Sequence, residues 1–445
     1  MKKYSKYKAS GVEWFNEIPN SWGLEKIKFQ GRVVSGSTPE TSKPEFWEGE
    51  IVWATPVDFG ADNQMYIYTS GRKITNEGLK NIGGKLIPKG AVVISSRAPI
   101  GLVALAGVDL VTNQGCKSVI PKKVVGEFLF FCLKEFSTVL ENLGNETVFS
   151  ELSLGTLKNF YLPIPPLSEQ HAIVRFLDYK TGQIDSFIAN RQKQIELLKE
   201  QKACIINNAV TKGINPNAKM KDSGIEWIGE VPESWIVSKI KFAGKIINGY
   251  AFDSKDFKDS GIRVVKISNI QTRNIDWSEE SFVEPFLFDK LENFRIKKDD
   301  LVFALTRPII STGIKAAIIE TNEPMLINQR NAVFRPKSID KKFLYHIIFN
   351  EDFIQYFESL IDNTGQQPNI SSEDIANIKI PLPPLEEQTE VVKYLDEHCG
   401  EIDTLISKYQ KQIDLMQEYR TSLISQAVTG KIDVREWHPK KAVTA

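Results

Sequence analysis

The chain has 445 residues, more than one ordinary domain holds, and this length predicts two to four domains. Apolar residues make up 42% and charged residues 25%, as in soluble globular proteins with several cores. The 56 basic side chains balance 56 acidic ones, which disfavours non-specific nucleic-acid binding as the main role but leaves room for local basic surfaces. Without a run of about 18 apolar residues or an apolar N-terminal stretch, we expect no membrane span, no secretory signal and a cytoplasmic location.

The first half of the chain begins with SGVEWFNEIPNSWGLEKIKF at residues 10–29. LIPKGAVVISS (86–96) predicts a turn followed by a buried strand. GEFLFFCLKEFSTVLENLG (126–144) has helical spacing and is expected to cover the sheet. LPIPPLSEQ (162–170) then opens a long polar and apolar segment that ends with NAVTKGI (208–214).

The second half repeats this order. SGIEWIGEVPESWIVSKIKF (223–242) is identical to residues 10–29 at twelve of twenty positions, which chance does not give. GIRVVKISNIQ (261–271) and FRIKKDDLVFAL (294–305) predict strands, and DKKFLYHIIFNEDFIQYFESLI (340–361) predicts a helix. IPLPPLEEQ (380–388) opens a second long segment that ends with QAVTGKI (426–432). We therefore predict an internal repeat of α+β domains with mostly antiparallel sheets.

Both long segments carry an apolar heptad pattern that predicts a helical seam. A stripe of this length cannot be left in water, and the nearest partner for each helix is the other copy. The predicted seam consists of Val174, Leu177, Ile184, Ile188, Ile195, Leu198 and Ile205 in the first helix, and Val392, Leu395, Ile402, Ile406, Ile413, Met416 and Leu423 in the second. The fold class is thus α+β: two globular α/β domains separated by two long antiparallel helices in a coiled coil, with a pseudo-two-fold internal repeat.

Two further features recur in the long segments. Lys202 and Arg420 occupy the same core position in both copies, where a cation either fixes the register of the helices or extends its stem out of the seam with no special role. Gly182 and Gly400 also match, and they predict a bend or break between a short first helix and the long one.

The catalytic inventory is empty. The sequence holds no [DN]-P-P-[YF] methyltransferase motif, no phosphate loop and no HExxH motif. The four histidines, His171, His346, His398 and His438, are scattered and predict surface or partner-facing imidazoles. The four cysteines, Cys116, Cys132, Cys204 and Cys399, form no CxxC pair and predict buried or half-buried free thiols. We expect no catalytic residue and no metal site.

Several motifs resemble those of the specificity subunits of type I restriction–modification enzymes, over almost the whole chain. They are SGSTPETSKPEFWEGEIVWATPVDF (35–59), KLIPKGAVVISSRAPIGLVALAGVDLVTNQGCKSVIPK (85–122), NGYAFDSKDF (248–257), VKISNI (265–270), LINQRNAVFRPK (326–337) and the PPLSEQ and PPLEEQ helix openings. The resemblance implies a target-recognition domain at 1–165, a central helical spacer at 166–214, a second recognition domain at 215–383, a C-terminal helical spacer at 384–432 and a tail at 433–445.

The same resemblance implies a function. Each recognition domain would read one half of a bipartite sequence in double-stranded DNA, and the helices would set the spacing between the half-sites. The target is expected to be asymmetric, because the two domains diverge. The helices would also dock two modification subunits, which methylate adenine with S-adenosylmethionine. Two restriction subunits, ATP-driven translocases with a nuclease domain, would join them. No cofactor is expected on this chain, since S-adenosylmethionine, ATP and Mg would bind the partner subunits.

Base reading and phosphate binding need Arg, Lys, Asn or Gln, and three places offer them. The candidates are Asn113, Gln114 and Lys117 with their counterparts Asn328, Gln329 and Arg330; Arg97 with Arg307; and the loops at 144–150 and 363–372, the latter with Gln366 and Gln367. The strand alignment of Arg97 and Arg307 is off by one, so their equivalence is open.

A structural role competes with DNA contact for these residues. The Asn–Gln pairs could satisfy backbone groups in the domain core, which is favoured because both halves share them. Residues that read sequence should lie where the halves differ, such as 40–50, 60–80 and 271–290. Trp47 and Trp277 lie there, and core packing is favoured over DNA contact for each.

Two other functions stay open. The chain could serve a methylation-only complex without a restriction subunit, which neighbouring genes would reveal. It could also be a coiled-coil scaffold with no DNA role, which predicts no salt-dependent duplex binding by the assembled complex. An enzyme acting alone would need a catalytic constellation that the sequence does not offer.

Overall fold

The computed structural model describes residues 2–59, 65–145 and 150–439. The described residues form two compact units. The first unit combines the chain up to Arg191 with the chain from Lys411 onward, and the second unit comprises Gln192–Gln410. Each unit therefore contains one set of sheets together with a part of each long helix.

The described part of the first unit contains two larger sheets and two two-stranded sheets. Its strands are β1 Tyr7–Val12, β2 Phe15–Pro19, β3 Gly23–Lys26, β4 Gly31–Ser35, β5 Trp47–Ala54, β6 Tyr66–Ile67, β7 Lys73–Ile74, β8 Val92–Ser95, β9 Val103–Ala106, β10 Leu110–Thr112, β11 Cys116–Pro121 and β12 Tyr161–Ile164. Its helices are α1 Ile27–Gln30, α2 Asn76–Asn81, α3 Gly126–Glu135, α4 Ser137–Asn145, α5 Leu154–Asn159 and the start of α6 Leu167–Lys212.

Five strands of the first unit pair in the order β4-β11-β8-β9-β6, and three in the order β10-β5-β7. Every residue of β8 (VVIS) is buried, as expected for a short apolar run in the middle of a sheet. Helix α3 buries a continuous run from Phe128 to Leu133 and contacts β8 and β9. This sheet and helix form the core that the sequence predicts.

The second unit repeats the plan. Its strands are β13 Met220–Asp222, β14 Glu230–Pro232, β15 Ile236–Lys239, β16 Gly244–Asn248, β17 Phe257–Lys258, β18 Ile262–Val265, β19 Phe282–Val283, β20 Arg295–Ile296, β21 Leu301–Ala304, β22 Ile309–Ile310, β23 Gly313–Ile314, β24 Ala316–Ile318, β25 Met325–Ile327, β26 Asn331–Pro336 and β27 Lys379–Leu382. Its helices are α7 Ile240–Ala243, α8 Pro285–Lys290, α9 Lys341–Ile348, α10 Glu351–Ser359, α11 Ser372–Asn377 and the start of α12 Leu385–Val428.

The sheet β16-β26-β21-β24 of the second unit corresponds to β4-β11-β8-β9 of the first. The sheet β17-β19-β18-β25-β20 contains a parallel pair, β18 with β25, which corresponds to the parallel pair of β5 with β10. The fold class predicted from the sequence is confirmed, including the mainly antiparallel pairing.

Two predicted helices are each divided in the structure. The segment 126–144 forms α3 and α4, and the segment 340–361 forms α9 and α10. In the second case Asn350 starts the new helix, because its side-chain oxygen accepts hydrogen bonds from the backbone N–H groups of Asp352 and Phe353. Such a cap inside a helical pattern ends one helix and begins the next.

The recurring glutamine of the PPLSEQ and PPLEEQ openings has a structural role. Gln170 is buried and donates to the carbonyl of Pro165 at 2.9 Å, while its oxygen accepts from the N–H of Val125 at 2.8 Å. In the second unit, Gln388 donates to Pro383 and accepts from the N–H of Asp340 in the same way. Each glutamine therefore ties the start of a long helix to the segment that covers the sheet.

The long helices run in opposite directions within each unit. In the first unit, the ring of Phe176 contacts Trp437 and Asp185 pairs with Arg420. In the second unit, Lys202 pairs with Asp403, while Gly213 lies next to Glu387. Partner numbers fall as α6 numbers rise, which is antiparallel packing.

Neither Gly182 nor Gly400 interrupts its helix, so the predicted break is wrong. Each glycine lies in open space, and its helix continues through it. In the part of the chain that the structure describes, no helix combines the length and apolar character needed to cross a bilayer.

Candidate nucleic-acid interface

In each unit, candidate DNA-binding residues lie at one end of the sheet that contains β4 or its counterpart β16. In the first unit β4 and β11 pair antiparallel, with Ser35 opposite Lys117 at one end and Gly31 opposite Pro121 at the other. The Ser35 end also receives the end of β8, where Ser95 pairs with Cys116. We call this end of the sheet the polar tip of the first unit. The turn 112–115 and Arg97 lie next to it along the chain.

Lys117 and Arg97 share one carboxylate at this polar tip. The Lys117 ammonium is 3.1 Å from Glu151 Oε1, and Arg97 Nε is 3.2 Å from Glu151 Oε2. The side chain of Lys117 is only 6% exposed, whereas that of Arg97 is 54% exposed. Burial opposes ionisation of Glu151, but the hydrogen bonds and charges of the two cations outweigh it and hold the pKa of its carboxyl below the usual value.

This arrangement displays Arg97 toward solvent. Lys117 fixes Glu151 from inside, and Glu151 holds the guanidinium of Arg97 through its Nε. The terminal nitrogens of Arg97 make no hydrogen bond to any residue that the structure describes. Those nitrogens form the planar fork that binds guanine or phosphate. Glu151 was not among the predicted site residues, although it immediately follows the predicted loop at 144–150. Residues 146–149 of that loop lie outside the described residues.

Asn113 and Gln114 mainly serve the turn between β10 and β11. The backbone N–H of Asn113 donates to Ala54, its carbonyl accepts from Cys116, and its Oδ1 accepts from the Cys116 thiol at 3.2 Å. Gln114 is exposed and accepts a hydrogen bond from the hydroxyl of Thr38. The structural role weighed for this pair therefore fits Asn113, while Gln114 remains at the surface.

The polar tip of the second unit has the same backbone frame. Asn328, Gln329 and Arg330 form the turn between β25 and β26. The N–H of Gln329 donates to Tyr250 at 2.7 Å, and the carbonyl of Arg330 accepts from Leu305 at 2.8 Å. In the first unit the carbonyl of Gly115 accepts from Ser96 at the equivalent place. The side chains of Gln329 and Arg330 are exposed.

A second loop joins this tip. The N–H of Arg307 donates to the carbonyl of Pro368, and the Thr306 hydroxyl donates to Asn369 Oδ1 at 3.0 Å. Gln366 and Gln367 lie in the same loop with exposed side chains. The structure therefore brings Arg307 together with the loop 362–369. That proximity was not visible in the sequence.

Lys315 adds a buried charge near Arg307. Its ammonium donates to the carbonyl of Ile267 at 2.6 Å, and its backbone N–H donates to Pro308. Burial lowers the pKa of this lysine, and repulsion from Arg307 lowers it further. Lys315 is not among the residues predicted from the sequence, because its burial and its proximity to Arg307 arise only in the folded chain.

Strand register defines which residues correspond between the two tips. Ser95 pairs with Cys116 in the first unit, and Ala304 pairs with Asn331 in the second. Thr306 therefore occupies the place of Arg97 in the second unit. Arg307 is one residue further along, which agrees with the one-residue offset seen in the sequence.

The same register corrects one predicted correspondence. Lys117 pairs with Ser35, and in the second unit the matching position opposite Asn248 is Ala332. Lys117 and Arg330 are therefore not equivalent. The backbone frame is common to both tips, but the cations differ in position.

The two tryptophans considered for DNA contact belong to the fold. Trp47 is buried and meets Trp53 edge to face, with ring centroids 5.0 Å apart. The exposed Arg72 stacks its guanidinium 3.6 Å from the centre of the Trp47 ring. Trp277 is half-buried beneath Arg263 at 4.6 Å. Core packing, the favoured interpretation, describes both rings.

The predicted seam residues lie inside the two units. The buried members are Val174, Leu177, Ile184, Ile188, Ile195, Val392, Leu395, Ile402, Ile413 and Leu423. The half-buried members are Leu198, Ile205, Ile406 and Met416. Both cations at the shared core position bind the other helix, with Lys202 Nζ 2.7 Å from Asp403 Oδ1 and Arg420 Nε 2.8 Å from Asp185 Oδ1. The two ion pairs occupy matching positions in the repeat.

The histidines and cysteines noted in the sequence are residue types that can act as metal ligands or reactive groups. Among residues 2–59, 65–145 and 150–439, no group of three His, Cys, Asp or Glu side chains could hold a metal. The cysteines are free; Cys116, Cys132 and Cys399 are buried, but Cys204 is exposed. Burial raises the pKa of Cys116 to about 12 and lowers that of His346 to about 4.

The described residues thus contain one sheet module twice, with different cations on a common backbone frame and with the long helices paired in each unit. The type I restriction modification DNA specificity domain matches the sequence at residues 26–197 and 232–415. The chain therefore belongs to the family of type I restriction–modification specificity subunits, a non-catalytic class whose role is DNA target recognition. The resemblance found in the sequence is confirmed.

Individual relatives agree with this assignment. The MjaVIII specificity subunit of Methanocaldococcus jannaschii is 33% identical over 424 residues, which cover 94% of each chain. The EcoAI specificity subunit of Escherichia coli is 30% identical over 237 residues, 51% of this chain and 39% of that protein. The crystal structure of the HsdS subunit from Thermoanaerobacter tengcongensis has a TM-score of 0.58 at 16% identity, with coverage of 95% and 100%.

A chain from a structural study of complex assembly and conformational transition in the type I system has a TM-score of 0.70 at 15% identity. The match covers 93% of this chain and 99% of that one. At these identities the two solved structures support the fold.

Proposed function

We propose that the chain reads an asymmetric bipartite target in double-stranded DNA, one half with each unit. The supporting observation is that the two polar tips share a backbone frame but differ in their cations. The first tip presents Arg97, held by Glu151, and Gln114, while the second presents Arg307, Arg330 and the Gln366–Gln367 pair. Different planar donors on one shared backbone frame suit different base edges, so each half-site has its own sequence.

Not every candidate residue faces DNA in this proposal. Lys117 is buried beneath Glu151, and Asn113 and Asn328 hold the turns that carry the exposed side chains. These three residues position the readers, whereas the exposed arginines and glutamines contact bases or phosphates. In this proposal the chain is divided into recognition domains at 1–165 and 215–383, helical spacers at 166–214 and 384–432, and a tail at 433–445.

The long helices set the half-site spacing and dock two modification subunits. On each helix an exposed leucine occupies the same repeat position, Leu197 in α6 and Leu415 in α12. Large apolar side chains left in water at matching positions favour contact with a partner present in two copies. S-adenosylmethionine, ATP and Mg belong to the modification and restriction subunits of this cytoplasmic assembly. The alternative of a methylation-only complex differs solely in lacking the restriction subunits.

Methylome sequencing of the host with and without this gene tests the proposal. We expect adenine methylation at one bipartite motif, with two different half-sites, to disappear when the gene is deleted. The assembled complex should bind that duplex with an affinity that falls steeply with salt. Loss of no motif, together with salt-independent or absent duplex binding, would instead identify a coiled-coil scaffold.

A further inference from the structure

Two exposed phenylalanines occupy matching positions at the start of the repeat. Phe29 lies in α1 and Phe242 in α7, and their exposed fractions are 55% and 69%. Both come from the KIKF sequence that ends the repeated segment. Their neighbours Ile27 and Ile240 are buried, so each short helix is anchored to the core while the phenyl ring is left in water.

The surroundings of the two rings are duplicated as well. Lys28 donates to Asn159 Oδ1 at 2.9 Å, and Lys241 donates to Asn377 Oδ1 at 2.9 Å. Each ammonium lies close to its neighbouring ring, at 5.3 Å from the Phe29 centroid and 5.7 Å from the Phe242 centroid. We define the Phe29 surface as Phe29, Lys28 and Asn159, and the Phe242 surface as Phe242, Lys241 and Asn377.

Both surfaces carry positive charge without a matching carboxylate. Lys28 and Lys241 bind neutral amide oxygens, and neither forms an ion pair with any residue that the structure describes. Lys26 in the first unit and Lys239 in the second add a further cation on the strand that leads into each helix. A matching partner surface therefore needs an apolar pocket with acidic groups at its rim.

The position of these surfaces separates them from the polar tips. Strand β4 starts at Gly31 beside α1 and ends at Ser35 beside Lys117, so Phe29 and the tip lie at opposite ends of the strand. In the second unit, β16 starts at Gly244 beside α7 and ends at Asn248 opposite Ala332. Five residues of strand separate the two ends by about 13 Å.

Chemistry also favours a protein over DNA as the occupant. A phenyl ring gains nothing from phosphates in water, and on duplex DNA it can contact only a thymine methyl at a groove edge or wedge between bases, which costs a few kcal/mol of unstacking. An apolar protein pocket would remove the ring from water at no such cost. Two matching surfaces on one chain suit two copies of one partner.

We infer that the Phe29 and Phe242 surfaces each seat one modification subunit, which contributes an apolar pocket rimmed by carboxylates. This inference rests on the proposed function for the identity of the partner. It assigns the contact to the start of the recognition domain, in addition to the long helices. Because both surfaces have the same side chains, the two seats accept the partner in the same way.

The test uses the full-length chain, its modification subunit and native mass spectrometry without DNA. We expect wild type to bind two modification subunits, Phe29→Ser or Phe242→Ser to retain one strong site, and the double variant to retain neither strong site. Each lost ring should weaken its site by about 10- to 100-fold. Phe286→Ser is the matched control, because Phe286 is 61% exposed but has no counterpart in the first unit. This variant should bind two modification subunits as the wild type does.

A second pair of variants tests the charge. Lys28→Glu combined with Lys241→Glu should also weaken both sites, since the new carboxylates would face the acidic rim. Circular dichroism and thermal melting should match wild type, as the altered side chains are exposed. Two modification subunits bound with unchanged affinity by the double phenylalanine variant would overturn the inference.

DNA binding distinguishes the remaining outcomes. If the double variant keeps both modification subunits but its complex loses duplex affinity, the surfaces contact DNA and the inference is wrong. If the subunits assemble as expected on wild type and leave the double variant, yet no bipartite motif is methylated in the host, the docking inference stands and the proposed target recognition fails.

Discussion

The helical seam is similar in the two units, whereas the two polar tips carry different side chains. In the seam, most equivalent positions hold the same or similar apolar side chains, and the ion pairs Lys202–Asp403 and Asp185–Arg420 match as well. At the tips, the backbone frame repeats but Arg97 is replaced by Thr306 and Lys117 by Ala332. The duplicated segments are therefore similar where the long helices pack and differ at the exposed polar tips.

The largest effect should come from the shared part. Leu177→Ala and Leu395→Ala each empty a fully buried position at the same place in the repeat. Each should lower the free energy of unfolding by about 2–5 kcal/mol, because transfer and cavity costs add. Urea unfolding checks this, with Leu197→Ala at an exposed helix position as the control. A large cost at one position and none at the other would break the equivalence of the two seams.

Glu151→Gln should have the next largest effect, confined to the first unit. It leaves the buried Lys117 ammonium without a counter-charge and should cost about 1–3 kcal/mol of stability. Replacing both, as Lys117→Met with Glu151→Gln, should restore most of the loss, since no buried charge is left unpaired and Arg97 is exposed to solvent. Chemical denaturation at pH 7 measures both. Equal stability of Glu151→Gln and wild type would contradict the central place of this carboxylate.

The same carboxylate gives a pH dependence. Its pKa is lowered in the folded chain, so its contribution is present above the usual glutamate pKa and is lost as pH falls through the lower folded value. The stability difference between wild type and Glu151→Gln should therefore be largest near neutral pH and shrink below about pH 4. Denaturation curves between pH 3 and 7 test this sign. A difference that grows on acidification would refute it.

The exposed arginines should affect one half-site each. Arg97→Ala should weaken binding by about 1–3 kcal/mol and relax discrimination only in the half-site read by the first unit. Arg307→Ala should do the same in the other half. Binding of the assembled complex to duplexes altered in one half-site separates these outcomes. An Arg97→Ala complex that tolerates changes in both halves would argue against separate readers.

The smallest effect is expected at the interhelical ion pairs. Lys202→Met and Arg420→Met each remove a partly exposed pair and should change stability by about 0–1 kcal/mol. Salt titration of the unfolding midpoint measures the electrostatic part, which screening should remove. A loss above 3 kcal/mol at either position would mean that these pairs, and not the apolar stripe, hold the helices together.

The sequence predicts the repeat, the fold class and the buried stripes because these depend on local periodicity. Positions such as Leu177 and Leu395 follow from a 3.5-residue pattern alone. The aspartates of the ion pairs can also be found from the sequence, since Asp185 and Asp403 occupy matching positions in the two copies. The break at Asn350 was not, because a helical apolar pattern continues on both sides of the cap.

The polar tips could be predicted only in part. Asn113, Gln114 and Arg97 stand out by residue type, but their partners come from distant segments. Glu151 lies more than 50 residues from Arg97 in the chain and meets it only in the folded sheet. Lys315 near Arg307 and Arg72 over Trp47 likewise depend on tertiary packing. Residue type therefore points to the region, whereas exposure decides which side chains can read DNA.

The most direct test of separate readers exchanges residues 30–150 for the corresponding segment of another family member and maps methylation in the host. If each unit reads its own half-site, the chimera should methylate a motif in which one half is new and the other half and the spacing are unchanged. A motif changed in both halves, or in neither, would contradict the account.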